Sequence, residues 1–373
     1  MNDKVKKHSY CCYRLEQLAR LGLPAQLFIP ALLQELHHDL SSFSNSFLWQ
    51  DEQENFSNIY DEMQNMSVIQ SFILAISREK PDSNSHTMSW VSQLNRPTTS
   101  YKQHGKNSRL TALYKRTLLP LKYFNTCFIP VFESSSNKRL GLLMVHREES
   151  QPEFTCQERD LLEHIASIIA HGLQQPEIEK MLLTDGWEQG ILIVNQKGQV
   201  QKASPMGEKL LSLASFSSFN ASTKPLKHDI SGFKDSKNFI KNLFPTNDIP
   251  LDNVDTDLVI STHNAWGNFI LKGFLIKDIA GNRGNTISLH IRKQEPFVLK
   301  LFHRIKMLNL TPRQETVGLF YAAGIPNKTI SEKLDLSLYT VKEHTKNIYE
   351  RLNIKSRADL IELIICDSTS NLE

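Results

Sequence analysis

Apolar positions change period along the chain, and the changes mark its parts. From Tyr13 to Leu40 they recur at helical spacing. The break falls at Leu23-Pro24, because proline lacks an N–H and restricts the residue before it. Strand-like runs follow at Ser46-Phe47-Leu48-Trp49, Cys127 to Phe132 and Leu140 to Arg147, with the polar segment 134–138 as a hairpin loop between the last two. Thr155 with Glu158 three residues on predicts a capping box. Behind it Leu161, Leu162, Ile165, Ile168, Ile169 and Leu173 form one helical stripe that ends by Pro176.

Past residue 178 the pattern shortens again. Ile191-Leu192-Ile193-Val194 reads as a strand, Asn195 to Gly198 as a turn, and Gln199 to Ala203 as the returning strand. Ser204-Pro205 starts a short helix ending near Leu213. The Ser/Asn/Lys-rich stretch 215–237 reads as a mobile loop. Leu258 to Thr262, Asn268 to Ile276 and Thr286 to Arg292 are three further strands, with Asn282-Arg283-Gly284 as the turn before the last. Helices at 156–183 and 297–309 would connect the parts.

From about 303 to 368 the chain reads as four short helices. Thr311, Pro312 and Gln314 form a dense helix start: N-cap, first-turn proline and capping-box partner. Val317, Phe320 and Tyr321 share one side, and Gly324 ends the helix. The second helix runs from Asn327 to Leu334 with Ile330 and Leu334 inward; Asp335-Leu336-Ser337 is the turn. Ser337 caps a third helix to about Leu352, whose inner face is Val341, Ile348 and Leu352. Ser356 caps the fourth, which carries Leu360, Ile361, Ile364 and Ile365.

Two short helices joined by a tight turn form a helix-turn-helix, which lays its second helix in the major groove of double-stranded DNA. On the third helix Lys342, Glu343, Thr345, Lys346 and Asn347 point away from the apolar face. A lysine can donate to guanine and a carboxylate can accept from cytosine, so Lys342, Glu343 and Lys346 are candidate base readers. Lys328, Thr340, Asn347, Lys355 and Arg357 are candidate phosphate contacts, which set affinity and register. The competing reading of these charges is the solvated face of a small helical bundle.

The set Leu310-Thr311-Pro312-Arg313, Gly324, Asn327-Lys328, Ile330, Leu334, Ser337, Thr340-Val341-Lys342, His344, Asn347-Ile348, Leu352 and Lys355-Ser356-Arg357-Ala358 resembles the LuxR/FixJ helix-turn-helix family. The resemblance implies a transcription regulator, with the fourth helix as a homodimer contact through Leu360, Ile361 and Ile364. Ordinary core packing is the other reading of that stripe, and both can hold. Gly318 departs from the family, which usually has an aliphatic residue there, and predicts a loosely packed first helix.

Residues 1–175 resemble a GAF domain through the early helix, the Phe47-Leu48-Trp49 strand, the pair Cys127–Phe132 and Leu140–His146, and the helix from Thr155. Residues 178–298 are similar to a PAS-like fold: strand, turn, strand, helix, three strands. Both resemblances imply a mixed sheet with helices on one side and a sensing or dimerising role. The expected class is therefore α+β: a GAF-like domain, a PAS-like domain, then an all-α four-helix domain at 303–368.

Composition narrows this. A chain of 373 residues is too long for one core. A net charge of +3 allows a local basic site and not a basic surface throughout. Five scattered cysteines make no metal or disulfide pattern and fit reduced thiols in a cytoplasm; Cys11-Cys12 reads as inert and Cys127 as a small buried hydrophobe. No stretch reaches the roughly 18 apolar residues of a membrane helix. His37 and His38, beside Glu35 and Asp39, do not share a helix face, so they read as polar helix surface and not as a metal site. The basic segment Tyr101 to Lys122 holds no Asp or Glu and reads as a solvated loop and helix, with a second nucleic-acid contact as the alternative.

No nucleotide-binding Gly-x-x-x-x-Gly-Lys-Ser/Thr loop, no acidic phosphoacceptor cluster and no nucleophile–base set stand out, so no enzyme and no cofactor are expected. Whether a small-molecule ligand or a protein partner acts on the first two parts stays open.

Overall fold

The computed structural model describes residues 3–37, 40–50, 56–63, 97–99, 121–136, 138–175, 182–195, 198–215, 240, 258–264, 266–277 and 283–366. The expected loop at 215–237 and the basic segment from Tyr101 lie almost wholly outside them.

Helices α1 (Asp3–Ala19) and α2 (Ala25–Leu36) flank the break at Pro24. The first sheet holds β1 (Ser44–Gln50), β2 (Phe56–Asp61), β3 (Thr98–Thr99), β4 (Asn125–Phe132) and β5 (Arg139–Arg147), in the order β2-β1-β5-β4-β3. Side chains alternate across it. Phe47, Trp49, Cys127, Ile129, Val131, Leu143 and Val145 face the core shared with α1, α2 and α3 (Cys156–Leu173). The Thr155–Glu158 capping box forms as expected. Burial pushes the Cys127 thiol up to about 12, consistent with a structural and unreactive cysteine. The other face carries a polar network: the Tyr123 hydroxyl donates to Asp61, and His146 stacks on the Tyr123 ring at 3.8 Å.

The second sheet holds β6 (Leu183–Asn195), β7 (Val200–Ala203), β8 (Leu258–Asn264), β9 (Gly267–Lys277) and β10 (Arg283–Pro296), in the order β7-β6-β10-β9-β8. Relative to chain order, the two sheets have the same arrangement. Leu210, Leu211 and Leu213 of α4 (Pro205–Ser215) join the cluster that holds Leu192, Val194, Phe269, Leu271, Ile287, Leu289 and Ile291. The outward face leaves Ile191, Val259, Phe274 and Ile276 exposed.

Three expectations are corrected here. Every strand pairing among the described residues is antiparallel in both sheets, where a mixed sheet was expected. The helix beginning at Cys156 does not reach 183: it stops at Leu173, and β6 starts at Leu183. Arg283, expected in a turn, opens β10 opposite Lys277.

The helical part follows β10 directly: α5 (Phe297–Ile305), a 3-10 turn (Lys306–Leu308), α6 (Pro312–Ala322), α7 (Asn327–Leu334), α8 (Leu338–Leu352) and α9 (Arg357–Cys366). Two contacts tie the three parts together. Trp266, in the β8–β9 turn, packs on Trp49 at 5.8 Å and on Tyr60 at 5.7 Å between ring centres, so the second sheet plugs into the first. The other contact is charged. Arg14 on α1 is buried, with Nε 3.5 Å from Glu35 of α2, a donated bond to the Phe302 carbonyl at 2.9 Å, and its guanidinium 3.7 Å above the Phe302 ring. Glu35 also faces His303 Nδ1 at 3.6 Å and Lys306 Nζ at 3.8 Å. Beside it Gln17 donates to the Thr316 hydroxyl at 2.7 Å, and Tyr13 donates to the Pro312 carbonyl. The first two helices thus grip α5 and α6 directly. Reading Glu35 as polar helix surface was incorrect: it sits one turn from Ala31 and two from Leu27, on the buried stripe of α2.

Burial by itself would raise the Glu35 carboxyl; His303, Arg14 and Lys306 outweigh it and hold the group at about 2. Its folded value lies below its ordinary 4.5, so it adds stability above pH 4.5 that is lost as the pH falls toward 2. That difference corresponds to roughly 3 kcal/mol. Glu35→Ala should remove the acid-limb contribution and cost about 3–5 kcal/mol at neutral pH, because Arg14 is left buried without a counter-charge. Urea denaturation between pH 2 and 7 measures both; a loss under about 1 kcal/mol would show that water already screens the pair.

Candidate nucleic-acid interface

Local sequence explains each helix end. Thr311 accepts from Gln314 N, and Gln314 returns the bond to Thr311 N, with Pro312 at the first position. Ser337 accepts from Thr340 N at 3.0 Å and starts α8. Asn309, Asp335 and Asn353 end the 3-10 turn, α7 and α8 in the left-handed region, where short polar side chains are tolerated best. Gly324 does the same after α6 with φ +89°, and the Arg357 guanidinium fills the place where a side chain would stand. Arg357 also donates to the Ala322 carbonyl at 3.1 Å, capping α6.

Val317, Phe320, Ile330, Leu334, Val341, Ile348, Leu360 and Ile364 close the core of this unit, and Leu310 seals its edge. Gly318 does not loosen it. A Cβ there would lie 3.3 Å from Ile305 of α5 and 3.3 Å from Ile348 of α8, so neighbouring isoleucines occupy the space an aliphatic residue would take.

The candidate side chains separate into groups. Lys342, Lys346 and Asn347 are exposed along α8, and Glu343 and Thr345 are half-buried. Lys346 reaches Glu350 at 3.7 Å, a solvent-screened pair that a ligand displaces at small cost. The Thr345 hydroxyl donates to the Val341 carbonyl, and the Thr340 hydroxyl lies 2.8 Å from that of Ser337. Lys328 and Lys355 are exposed on either flank, whereas Arg357 is engaged in capping. Sequence reasoning missed Leu338 and Tyr339 at the first turn of α8, exposed by 44% and 73%: two large groups held out at the tip of the helix. The signal for Tyr339 was present, since it falls outside the 341/348/352 spacing; Leu338 lies on that spacing and gave none. Of the expected dimer contacts, Leu360 and Ile364 are buried within the chain itself, and Ile361 is half-buried.

Two short helices, an Asp-Leu-Ser turn and an outward-facing basic helix define a helix-turn-helix module. Residues 308–364 match the family model GerE, bacterial regulatory proteins of the luxR family. This C-terminal segment is a luxR-family domain. The HTH-type transcriptional regulator MalT of Vibrio campbellii is 34% identical over 94 residues, 23% of this chain and 10% of that protein. The nitrate/nitrite response regulator NarL of Escherichia coli is 40% identical over 50 residues, 13% of this chain and 23% of that protein. The chain therefore spans a tenth to a quarter of these relatives. Among solved structures, a phage VqmA–DPO complex is 16% identical over 49% of this chain and 85% of that one, with a TM-score of 0.18. The Escherichia coli DhaR(N)–DhaL complex has a TM-score of 0.25 at 12% identity, over 78% and 89%. No helix among the described residues is long and apolar enough to cross a membrane.

Enlarging Gly318 tests the packing of α5, α6 and α8. Gly318→Leu should destabilise the protein by about 1–3 kcal/mol through overpacking against Ile305 and Ile348, despite the gain of about 1 kcal/mol in helix propensity. A urea melt reads the sign; a rise in stability would mean the site has slack.

Proposed function

We propose that this protein is a DNA-binding transcription regulator in which α8 enters the major groove. One observation carries the reading. Within a luxR-family segment, α8 packs its Val341/Ile348 side on its own core and leaves Lys342, Lys346, Asn347 and the Leu338–Tyr339 tip facing outward. Lys342, Lys346 and Glu343 read base edges, and Leu338 and Tyr339 add apolar contacts of the kind a thymine methyl accepts. Lys328, Lys355, Thr340, Thr345 and Asn347 hold the backbone, with Arg357 supporting the fold as well. MalT and NarL, both described as regulators, support this reading.

The protein acts as a homodimer on two half-sites about one helical turn apart. Because Leu360 and Ile364 are used in the chain's own core, a second copy meets α9 through Ile361 and its exposed neighbours. The two sheet-bearing parts, read as GAF-like and PAS-like from their elements and common strand order, govern the spacing of the two modules in a cytoplasmic protein without enzymatic activity. A second reading draws on the exposed Ile191, Val259, Phe274 and Ile276 of the second sheet: a face that binds a protein partner, with DNA contact secondary.

Selection of genomic fragments by the full-length chain at two salt concentrations tests the proposal. A recurrent two-fold sequence should emerge. Lys342→Ala with Lys346→Ala should weaken it by about 10- to 100-fold per lost base contact while the melting curve stays unchanged. Equal enrichment of all fragments, or wild-type affinity in the double variant, would remove α8 from the groove.

A further inference from the structure

A cleft of about 240 Å³ opens between the two sheets, walled by α2, β2, β6, α4, β10 and α5. It lies outside the helix-turn-helix and outside the inner core of either sheet. Along β10 the inward positions run Ile287, Leu289, Ile291, then Lys293 and Glu295, because alternate residues share a face. The apolar series turns charged where the cleft begins. Among the described residues neither the Lys293 nor the Glu295 side chain has a hydrogen-bond or ion-pair partner. The other charges of the wall are satisfied: Lys209 meets Glu188 at 2.8 Å, and Glu62 binds His37 and the Asn45 N–H, both at 2.6 Å. Gly267 makes room for the Lys293 stem, whose Cε lies 3.2 Å from where a Cβ would be. Burial holds the Lys293 ammonium below its usual range and the Glu295 carboxyl above its own, outweighing the pull of Glu188 on the first and of His303 and Lys300 on the second.

We propose that this cleft binds a small zwitterion of the α-amino-acid class, its carboxylate on Lys293, its ammonium on Glu295 and its side chain against Leu27 and Leu299. The volume admits a small organic molecule, being far above the roughly 10–15 Å³ that holds one water. The charge count argues against simpler ligands. Glu188 is met by Lys209, Glu62 by His37 and His303 by Glu35, which leaves one ammonium, Lys293, against one carboxylate, Glu295. A phosphate would leave Glu295 unmatched and repelled, and a polyamine would leave Lys293 unmatched. Occupancy also bears on α5. That helix lends Leu299 and His303 to the cleft, bonds the last carbonyls of α9 through Arg304, and packs Ile305 on Gly318. An effector role for the bound amino acid rests on the regulator reading; binding itself does not.

The test is a thermal melt of the full-length chain with each common amino acid in turn at millimolar concentration. Acetate, methylammonium and inorganic phosphate serve as partial probes. At least one amino acid should raise Tm by several degrees, and none of the partial probes should. Glu295→Gln, nearly isosteric, should weaken that amino acid at least about tenfold by calorimetric titration, and Lys293→Met should abolish it. Should Lys293→Met fail to fold, Glu295→Gln decides alone. The proposal is overturned if no amino acid shifts Tm, if the shift survives in Glu295→Gln at full affinity, or if phosphate reproduces it. An amino acid that binds when no DNA sequence is selected upholds the cleft and removes the regulator reading; selected DNA with no amino-acid binding removes only the cleft.

Discussion

Arg14 is a guanidinium taken out of water, and such a group is tolerated only when its charge and its donors are met. Here the charge is met by the Glu35 carboxylate on α2 and the Phe302 ring, and two of the nitrogens bond the Phe302 carbonyl on α5 and the Gln17 side chain, while Nε stands at ion-pair distance from Glu35 without a hydrogen bond. α1 and α2 are consecutive, but α5 lies far along the chain, so the cluster is complete only when the N-terminal helices and α5 have docked. Hydrophobic packing would permit sliding of α1 over α5; a bonded arginine specifies one seating. The Gln17–Thr316 and Tyr13–Pro312 bonds extend the same seating to α6.

That seating gives α5 an unusual position. It leaves β10 without an intervening loop, so the last strand of the second sheet and the first helix of the C-terminal unit are one continuous stretch. Its inward residues Leu301, Phe302 and Ile305 are buried. A luxR-type helical unit with an aliphatic residue at 318 would fill that place from within α6. This chain puts glycine there and inserts Ile305 from α5 instead. The departure from the family pattern is thus a consequence of docking, and the added helix is part of the domain's core.

How much of this the sequence discloses depends on how local the cause is. Helix starts at Thr155, Thr311 and Ser337 rest on a side chain bonding a backbone three residues away, and they were readable to the residue. Strands β4 and β5 were readable because their alternation and the polar loop between them are local too. What escaped was tertiary. Arg14 and Glu35 look like surface charges until one notices that Cys11, Leu15 and Leu18, and Leu27 and Ala31, put them on apolar stripes. Lys293 and Glu295 continue the inward alternation of β10, yet a charged residue at a strand's end is ordinarily read as its exit to solvent. Trp266 in a hairpin turn carried no local sign that its partners were Trp49 and Tyr60.

The docked arrangement also limits how the C-terminal unit can respond. The N-terminal helices hold α5 and the start of α6, while α8 packs on α6 and α7 and keeps its charged side free. Among the described residues nothing covers the charged side of α8, so the proposed regulation acts through placement of α8. The carbonyl end of α9 is bonded by Arg304 of α5, so a shift of α5 would move the helix that the proposed dimer uses to meet a second copy. In that proposed dimer small rotations of α5 would change the separation of two α8 helices, and half-site spacing on DNA is a strict geometric match. A ligand need supply only the difference in its affinity for two seatings of α5 to move that equilibrium.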